Sequence, residues 1–331
     1  MPAGLSRRAS PVAHPPDPEL RGRTRRTPWV WWHLLSLDAP TVAVVWCWFF
    51  GAVFRLHFSW VVLPTLALGT WCVYVADRLL DGWRSSDMVS LRDRHWFYLR
   101  HRKPFILTWT IAAVPLAYLI FFRVDPAVRS DDIVLCLIGV AYFLLIHSHI
   151  RVRSSHSGEA RLFPRWLPKE MAVGFLFAIA TAVPAWARLS ASIPLAADRG
   201  LFAAAVFTFG AVCWLNCVAI QTWEDAEASE EIVHTILSRT QGRDLETRPP
   251  GLTEFLGGHL TVFASAVGAL ALAFAVVTAG SPVALLFAAA ALSAGLFLAL
   301  IRYSHRLGAL PLRIAADAAL LTPLLFWIRL R

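Results

Sequence analysis

Long apolar blocks alternate with short polar segments along almost the whole chain. Nine of these blocks have roughly the 20 residues that a helix needs to cross a bilayer. They cover residues 35–55, 59–80, 104–122, 132–150, 169–187, 200–222, 256–279, 282–301 and 309–328, to within a few residues at each end. The pattern predicts an all-α polytopic membrane protein, with about nine transmembrane helices forming one domain over residues 34–331.

The composition agrees with this interpretation. Of the 331 residues, 57% are hydrophobic and only 16% are charged, whereas soluble domains carry about a quarter charged residues. Residues 1–33 begin with a stretch rich in proline and arginine that has no apolar core. This segment predicts a disordered basic N-terminal tail rather than a signal peptide. The five cysteines are odd in number and lack a Cys-x-x-Cys pair, which favours neither a disulfide framework nor a zinc site.

The net charge of +9 is distributed in a way that argues against a nucleic-acid-binding protein. Alternate loops hold 23 basic residues, the opposite loops hold seven, and Arg78 inside the second span completes the 31. Because cytoplasmic loops are enriched in Lys and Arg, this bias predicts a cytoplasmic N-terminus and an external C-terminus. The expected location is a bacterial inner membrane.

Two acids close the second span, at Asp77 and Asp81. Their spacing of four residues places both carboxylates on one face of a helix. Charged groups at such a position are costly unless they face a cavity, a metal or each other. The alternative is a simple salt bridge to Arg78 or Arg84.

A second polar group ends the sixth span. Asn216, Glu224 and Glu227 share a helical face, and Asp225 lies beside them in sequence. The predicted topology puts this group at the same membrane face as Asp77 and Asp81. Asp317, inside the last span, is either a functional acid or, more commonly for such residues, the partner of a neighbouring helix.

Two carboxylate groups at one end of an apolar bundle suit Mg²⁺, which binds through a few carboxylates together with substrate phosphates. The predicted metal ligands are Asp77, Asp81, Glu224, Asp225 and Glu227, and the predicted catalytic group is Asp77, Asp81, Asn216 and Glu224. Basic residues nearby would hold the phosphate oxygens. The candidates for that role are Arg78, Arg84, Arg94, Arg102 and Lys169.

The segment Ala76-Asp77-Arg78-Leu79-Leu80-Asp81-Gly82 resembles the second half of the first acidic motif of UbiA-type intramembrane prenyltransferases. Leu37-Asp38-Ala39-Pro40 is similar to the Leu-Asp-Lys-Pro that often opens the first helix of that family. The resemblance implies a nine-helix bundle. It also implies Mg²⁺-dependent transfer of a prenyl group from a prenyl diphosphate to an aromatic or lipid-like acceptor.

The chain departs from the family pattern at three places. Val73 and Tyr74 stand where the family has its leading Asn-Asp, and Ser36 stands where an arginine often precedes Leu-Asp-x-Pro. The second motif is represented by Asn216 and glutamates rather than by several aspartates.

Three functions therefore stay open at this point: a prenyltransferase, an isoprenoid- or lipid-binding membrane protein of the same fold without catalysis, and a transporter. The transporter hypothesis depends on the intramembrane residues Asp38, Asp77, Asn216 and Asp317. Neither the acceptor, the length of the prenyl chain nor the oligomeric state follows from the sequence.

Overall fold

A computed structural model describes residues 27–84, 93–124, 129, 168–192, 196–237 and 252–330. All regular elements within these residues are helical. The helices are α1 (Pro28–Leu34), α2 (Asp38–Val53), α3 (Val62–Arg84), α4 (Asp93–Arg100), α5 (Arg102–Tyr118), α6 (Lys169–Ser192), α7 (Ala196–Leu237), α8 (Leu252–Gly258), α9 (Leu260–Val277), α10 (Ala284–Tyr303) and α11 (Ala309–Ala319). A π-helical turn, Leu119–Arg123, extends α5, and a 3₁₀ helix, Thr322–Leu330, follows α11.

The predicted helical class is confirmed, whereas the number of spans is confirmed only in part. Six segments of the described residues are long and apolar enough to cross a membrane: Arg102–Arg123, Lys169–Ser190, Ala197–Glu227, Leu260–Val277, Ala284–Arg306 and Ala309–Arg329. The pair α1 and α2, bent by 89°, would be a seventh if it forms one span. α3 is helical as predicted but is not among the six, and the predicted span 132–150 lies outside the described residues.

The long helix α7 is the centre of the packing. It lies along α6, α9, α10 and α11. Small residues let these helices approach closely: a Cβ placed on Gly174 of α6 would lie 2.6 Å from the backbone nitrogen of Trp214 in α7. The close approach of α6 and α7 therefore depends on the absence of a side chain at residue 174.

Aromatic side chains fill the main core between α2 and α7. Trp46 and Phe209 stack with ring centroids 4.1 Å apart, and Phe50 packs against Phe202 at 5.2 Å. All four side chains are buried. The Trp46 indole N–H donates to the carbonyl oxygen of Leu320 at 2.7 Å, so the one polar atom of the indole is satisfied.

A smaller apolar cluster joins α1, α3, α4 and α5 through Leu34, Val75, Phe97, Tyr98 and Phe105. Tyr98 and Phe105 stack at 4.1 Å. This cluster corrects the predicted boundary of the N-terminal tail: the segment from Pro28 to His33 is helical and packs into the fold, while residues 1–26 lie outside the described part.

Candidate functional site

The bend between α1 and α2 brings a histidine against an acid. Ser36, in the connection, has φ 54°, a left-handed conformation that glycine adopts most easily and that turns the chain sharply. As a result, His33 Nδ1 lies 2.7 Å from Asp38 Oδ2. Asp38 Oδ1 also accepts from the backbone N–H of Ala39, at 2.9 Å, at the start of α2. Both side chains are buried, with 3% and 9% of their surface exposed.

A third helix adds Asp317 to this pair. Asp317 Oδ2 lies 3.7 Å from His33 Nδ1, and Asp317 Oδ1 accepts from Asn216 Nδ2 at 3.2 Å. The prediction that Asp317 pairs with a neighbouring helix is confirmed, because Asn216 belongs to α7. His33, Asp38 and Asp317 each offer one ligand atom within 4.8 Å of the others. We call these three residues together with Asn216 the polar cluster.

Arg78 connects the polar cluster to the smaller apolar cluster. Its Nε donates to Ser36 Oγ at 3.1 Å, and Ser36 Oγ is 2.9 Å from the hydroxyl oxygen of Tyr98. Burial raises the pKa of the Tyr98 phenol above its ordinary value, so the hydroxyl stays protonated at neutral pH. Arg78 is 6% exposed, which is a costly position for a cation unless anions lie nearby.

Arg313, with 15% of its side chain exposed, is the second largely buried cation of the site. Its Nη1 lies 2.6 Å from Glu224 Oε1, an ion pair between α11 and α7. Arg313 lies one helical turn before Asp317 on α11, so it comes to the same end of the helices as the polar cluster. Charges from α1, α2, α3, α7 and α11 thus converge at one end of the apolar helices.

The predicted helical face on α7 is confirmed. Asn216, Glu224 and Glu227 all face α11, where they meet Asp317, Arg313 and the backbone N–H of Ala309, respectively. The Ala309 contact is long, at 3.5 Å. Asp225 points elsewhere: it is exposed, and both its carboxylate oxygens accept from Gln221 Nε2, at 2.8 and 2.9 Å.

None of the remaining predicted site residues belongs to the polar cluster. Asp77 is half-buried on α3, one residue before Arg78. Arg102 and Lys169 are exposed at the starts of α5 and α6. The side chains of Asp81, Arg84 and Arg94 lie outside the described part of the structure.

The predicted Mg²⁺ ligands have suitable chemistry, since carboxylate oxygens are what this ion prefers. The described α7 acids do not form a closed set of ligands, because Glu224 faces α11 while Asp225 is exposed on another side. Mg²⁺ usually keeps waters and binds partly through substrate phosphates. Asp77 and Glu224 could each offer one carboxylate oxygen, although Glu224 is paired with Arg313, so a phosphate-bearing substrate would have to supply other ligands.

Sequence reasoning missed two residues of the site, His33 and Arg313. His33 falls within the predicted tail, and no role is predicted for Arg313. Asp38 enters only through the motif Leu37-Asp38-Ala39-Pro40 and through the transporter hypothesis. The available signal was a set of polar residues at the ends of apolar blocks. Their convergence depends on the bend at Ser36, which no local pattern in the sequence indicates.

No family model, curated protein or solved structure matches the chain. Over the residues that the structure describes, the fold is all-helical with six apolar helices, which is compatible with an integral membrane protein, and it holds a largely buried polar site formed by several of its helices.

Proposed function

We propose that the protein is a divergent intramembrane prenyltransferase of the UbiA type, which binds a prenyl diphosphate and transfers its prenyl group to an aromatic or lipid-like acceptor. The observation that carries the proposal is that two largely buried arginines on different helices lie beside the polar cluster. Arg78 bonds to Ser36, and Arg313 is paired with Glu224 one turn before Asp317.

Two largely buried guanidinium groups beside one polar cluster favour an anion near them, because a buried cation is costly without one. Guanidinium is well suited to phosphate because its planar donors can bind two oxygens at once. Arg313 Nε has no hydrogen-bond partner among the described residues, so this cation has donor capacity beyond its bond to Glu224. In the proposed reaction these arginines hold the diphosphate and stabilise the negative charge that it gains when it leaves.

The rest of the proposed substrate is apolar, which matches the surroundings of the site. A prenyl chain would lie among the apolar helices while its head remains at the charged end. Mg²⁺, when bound, would neutralise diphosphate charge, with Asp77 and Asp81 as the ligands implied by the sequence resemblance. The charge bias of the loops puts this end at the cytoplasmic face, and a bacterial inner membrane remains the proposed location.

The proposal is tested by binding of farnesyl and geranylgeranyl diphosphate to the purified chain in lipid nanodiscs with Mg²⁺. Each arginine contributes charge-assisted hydrogen bonds, so Arg78→Gln and Arg313→Gln should each weaken binding by about 10- to 100-fold. Arg78→Lys and Arg313→Lys should recover part of the loss, because the charge is kept. Arg302→Gln is the matched control, since Arg302 is an exposed arginine on α10, and its binding should equal that of the native chain.

Absence of binding by the native chain, in the presence of Mg²⁺, would overturn the proposal. Binding without any covalent product, across a panel of aromatic and lipid-like acceptors, would replace the enzyme with an isoprenoid-binding protein of the same architecture. Conversion of a prenyl diphosphate that stops in Asp77→Asn would support the enzyme.

The polar cluster favours a second function, transport coupled to protons or cations. Buried acids that face the interior of an apolar bundle are typical of ion pathways, and Asp38 and Asp317 flank a histidine there. The test is substrate flux into proteoliposomes under an imposed pH gradient, with a panel of amphipathic anions. Flux that Asp38→Asn and Asp317→Asn abolish, without covalent change to the substrate, would favour the transporter over the enzyme.

A further inference from the structure

Three side chains from separate segments offer metal-binding atoms at one point of the structure. His33 comes from α1, Asp38 begins α2 and Asp317 lies in α11, and their ligand atoms are within 4.8 Å of one another. His33 and Asp38 are buried, and Asp317 is 18% exposed. Polar groups this deep among apolar helices are expensive unless each is fully compensated.

The hydrogen-bond donors of the protein satisfy the carboxylates of Asp38 and Asp317 unequally. The Nδ1 atom of His33 is 2.7 Å from Asp38 but 3.7 Å from Asp317, and a single N–H can serve only one of them well. The nearby arginines donate elsewhere: Arg78 to Ser36 and Arg313 to Glu224. Asp317 therefore lacks a well-placed donor from His33, and a metal cation near His33 could serve both carboxylates at once.

Asn216 gives an independent indication of a ligand. Its side chain is only 9% exposed, and its Oδ1 atom has no hydrogen-bond partner among the described residues. Its Nδ2 atom is 3.2 Å from Asp317 Oδ1, so the amide lies directly against one of the three residues. An orphaned buried carbonyl oxygen costs free energy comparable to a lost hydrogen bond, and a cation beside Asp317 would supply the missing partner.

We propose that His33, Asp38 and Asp317, with the amide oxygen of Asn216 as a fourth ligand, bind one divalent transition-metal ion. Ligands about 2.0–2.2 Å from a metal lie about 2.9–3.5 Å from each other, and the separations of 2.7 and 3.7 Å at His33 Nδ1 bracket that range. One imidazole with oxygen ligands suits Mn²⁺, Fe²⁺, Co²⁺ or Zn²⁺ rather than Ca²⁺ or Cu⁺. The ion would neutralise the paired acids and fasten α1 to α7 and α11.

This site is separate from the predicted Mg²⁺ ligands on α3 and on the last turns of α7, and it does not depend on the proposed function. A transport protein, a binding protein or an enzyme could each contain it. The experiments below therefore measure metal binding and coordination rather than turnover.

The first experiment strips the purified full chain in detergent with a chelator and titrates it with Co²⁺, whose visible absorption reports protein coordination. We expect one equivalent to bind, with Zn²⁺ displacing it. His33→Gln, Asp38→Asn and Asp317→Asn should each weaken binding at least about 10-fold, because each removes a ligand. His259→Gln is the control: His259 is exposed at the start of α9, and its loss should leave the titration unchanged.

The second experiment needs no variant, so it decides the matter even if the substitutions prevent folding. X-ray absorption of the Zn²⁺-loaded native chain should show only nitrogen and oxygen ligands at about 2.0–2.2 Å. A sulfur ligand would overturn the assignment, since Cys213 and Cys217 lie on the same helix as Asn216. Failure of the native chain to take up either Co²⁺ or Zn²⁺ would overturn it in favour of a proton shared by Asp38 and Asp317.

Discussion

The same three segments build two layers of opposite chemistry. On α2, Asp38 belongs to the polar cluster, whereas Trp46, about two turns later, belongs to the aromatic core. On α7, Phe209 stacks on Trp46, and Asn216, two turns further on, contacts Asp317. On the last segment, Asp317 completes the polar cluster while the Leu320 carbonyl, just past the end of α11, accepts from Trp46.

The difference between the layers separates stability from function. The aromatic layer buries large apolar surfaces and leaves no unsatisfied atom on Trp46, so it stabilises the fold by itself. The polar layer comprises the polar cluster, Ser36 and the ion pair of Arg313 with Glu224. It holds charges that an apolar bundle of the same shape would not need. Its residues are therefore the best candidates for binding and chemistry, and substitutions in the two layers should behave differently.

The largest effect on stability is expected in the aromatic layer. Trp46→Ala removes the stack on Phe209 and the hydrogen bond to Leu320, and it leaves a large cavity. It should lower the free energy of unfolding by about 3–5 kcal/mol, measured by titration with a denaturing detergent. Trp46→Phe keeps most of the ring contact and should lose markedly less; an equal loss in both variants would contradict the packing argument.

A smaller loss of stability is expected when the ion pair between Arg313 and Glu224 is broken, and a double substitution should reveal that the two side chains interact. Arg313→Met leaves Glu224 buried without its cation and should lower the free energy of unfolding by about 2–3 kcal/mol, less than for a fully buried pair because both side chains keep some exposure. Replacing both residues, Arg313→Met with Glu224→Gln, should recover much of that loss. Additive losses in the double variant would show that the two side chains do not interact.

The smallest effect compares two residues with the same unusual backbone. Ser36 and Arg55 both have positive φ, 54° and 55°, a conformation that costs non-glycine residues about 1 kcal/mol or more. Arg55→Gly should therefore raise the free energy of unfolding by about 0.5–1 kcal/mol.

Ser36→Gly relieves the same strain but loses the bonds to Tyr98 and Arg78, so its free energy of unfolding should stay level or fall. The pair is compared in one detergent by the same unfolding titration. A gain at Ser36 as large as that at Arg55 would mean that the serine hydroxyl contributes nothing to the polar layer.

The helical class and most helix positions could be predicted because apolar blocks of this length specify helices through local hydrogen bonding and burial. The shared face of Asn216, Glu224 and Glu227 was also predictable, since a helix has a fixed period. The prediction of nine spans went further than the described residues support. α1 was missed because its seven residues are too few to show a helical period.

The sequence indicates several residues of the site, on α7 and at Arg78, Asp38 and Asp317, but not which of them meet. Glu224 was expected to bind a metal, and the structure shows it paired with Arg313, which is 89 residues away in sequence. His33 and Asp317 are separated by almost the whole chain, yet they lie 3.7 Å apart. Contacts of this kind depend on how helices pack, and they cannot be recognised from the spacing of residues along the sequence.

The sequence by itself determined that this protein is built of apolar helices with most of its acids and arginines at or near their ends, because hydrophobic period and block length are local properties. Only the tertiary structure decided which of those charged residues meet. A sharp bend at Ser36 turns α1 back onto α2, and the packing of α11 against α7 brings Asp317 and Arg313 to the same place. The physical reason is that a buried charge must find its partner in space, and the nearest partner in space is rarely the nearest in sequence.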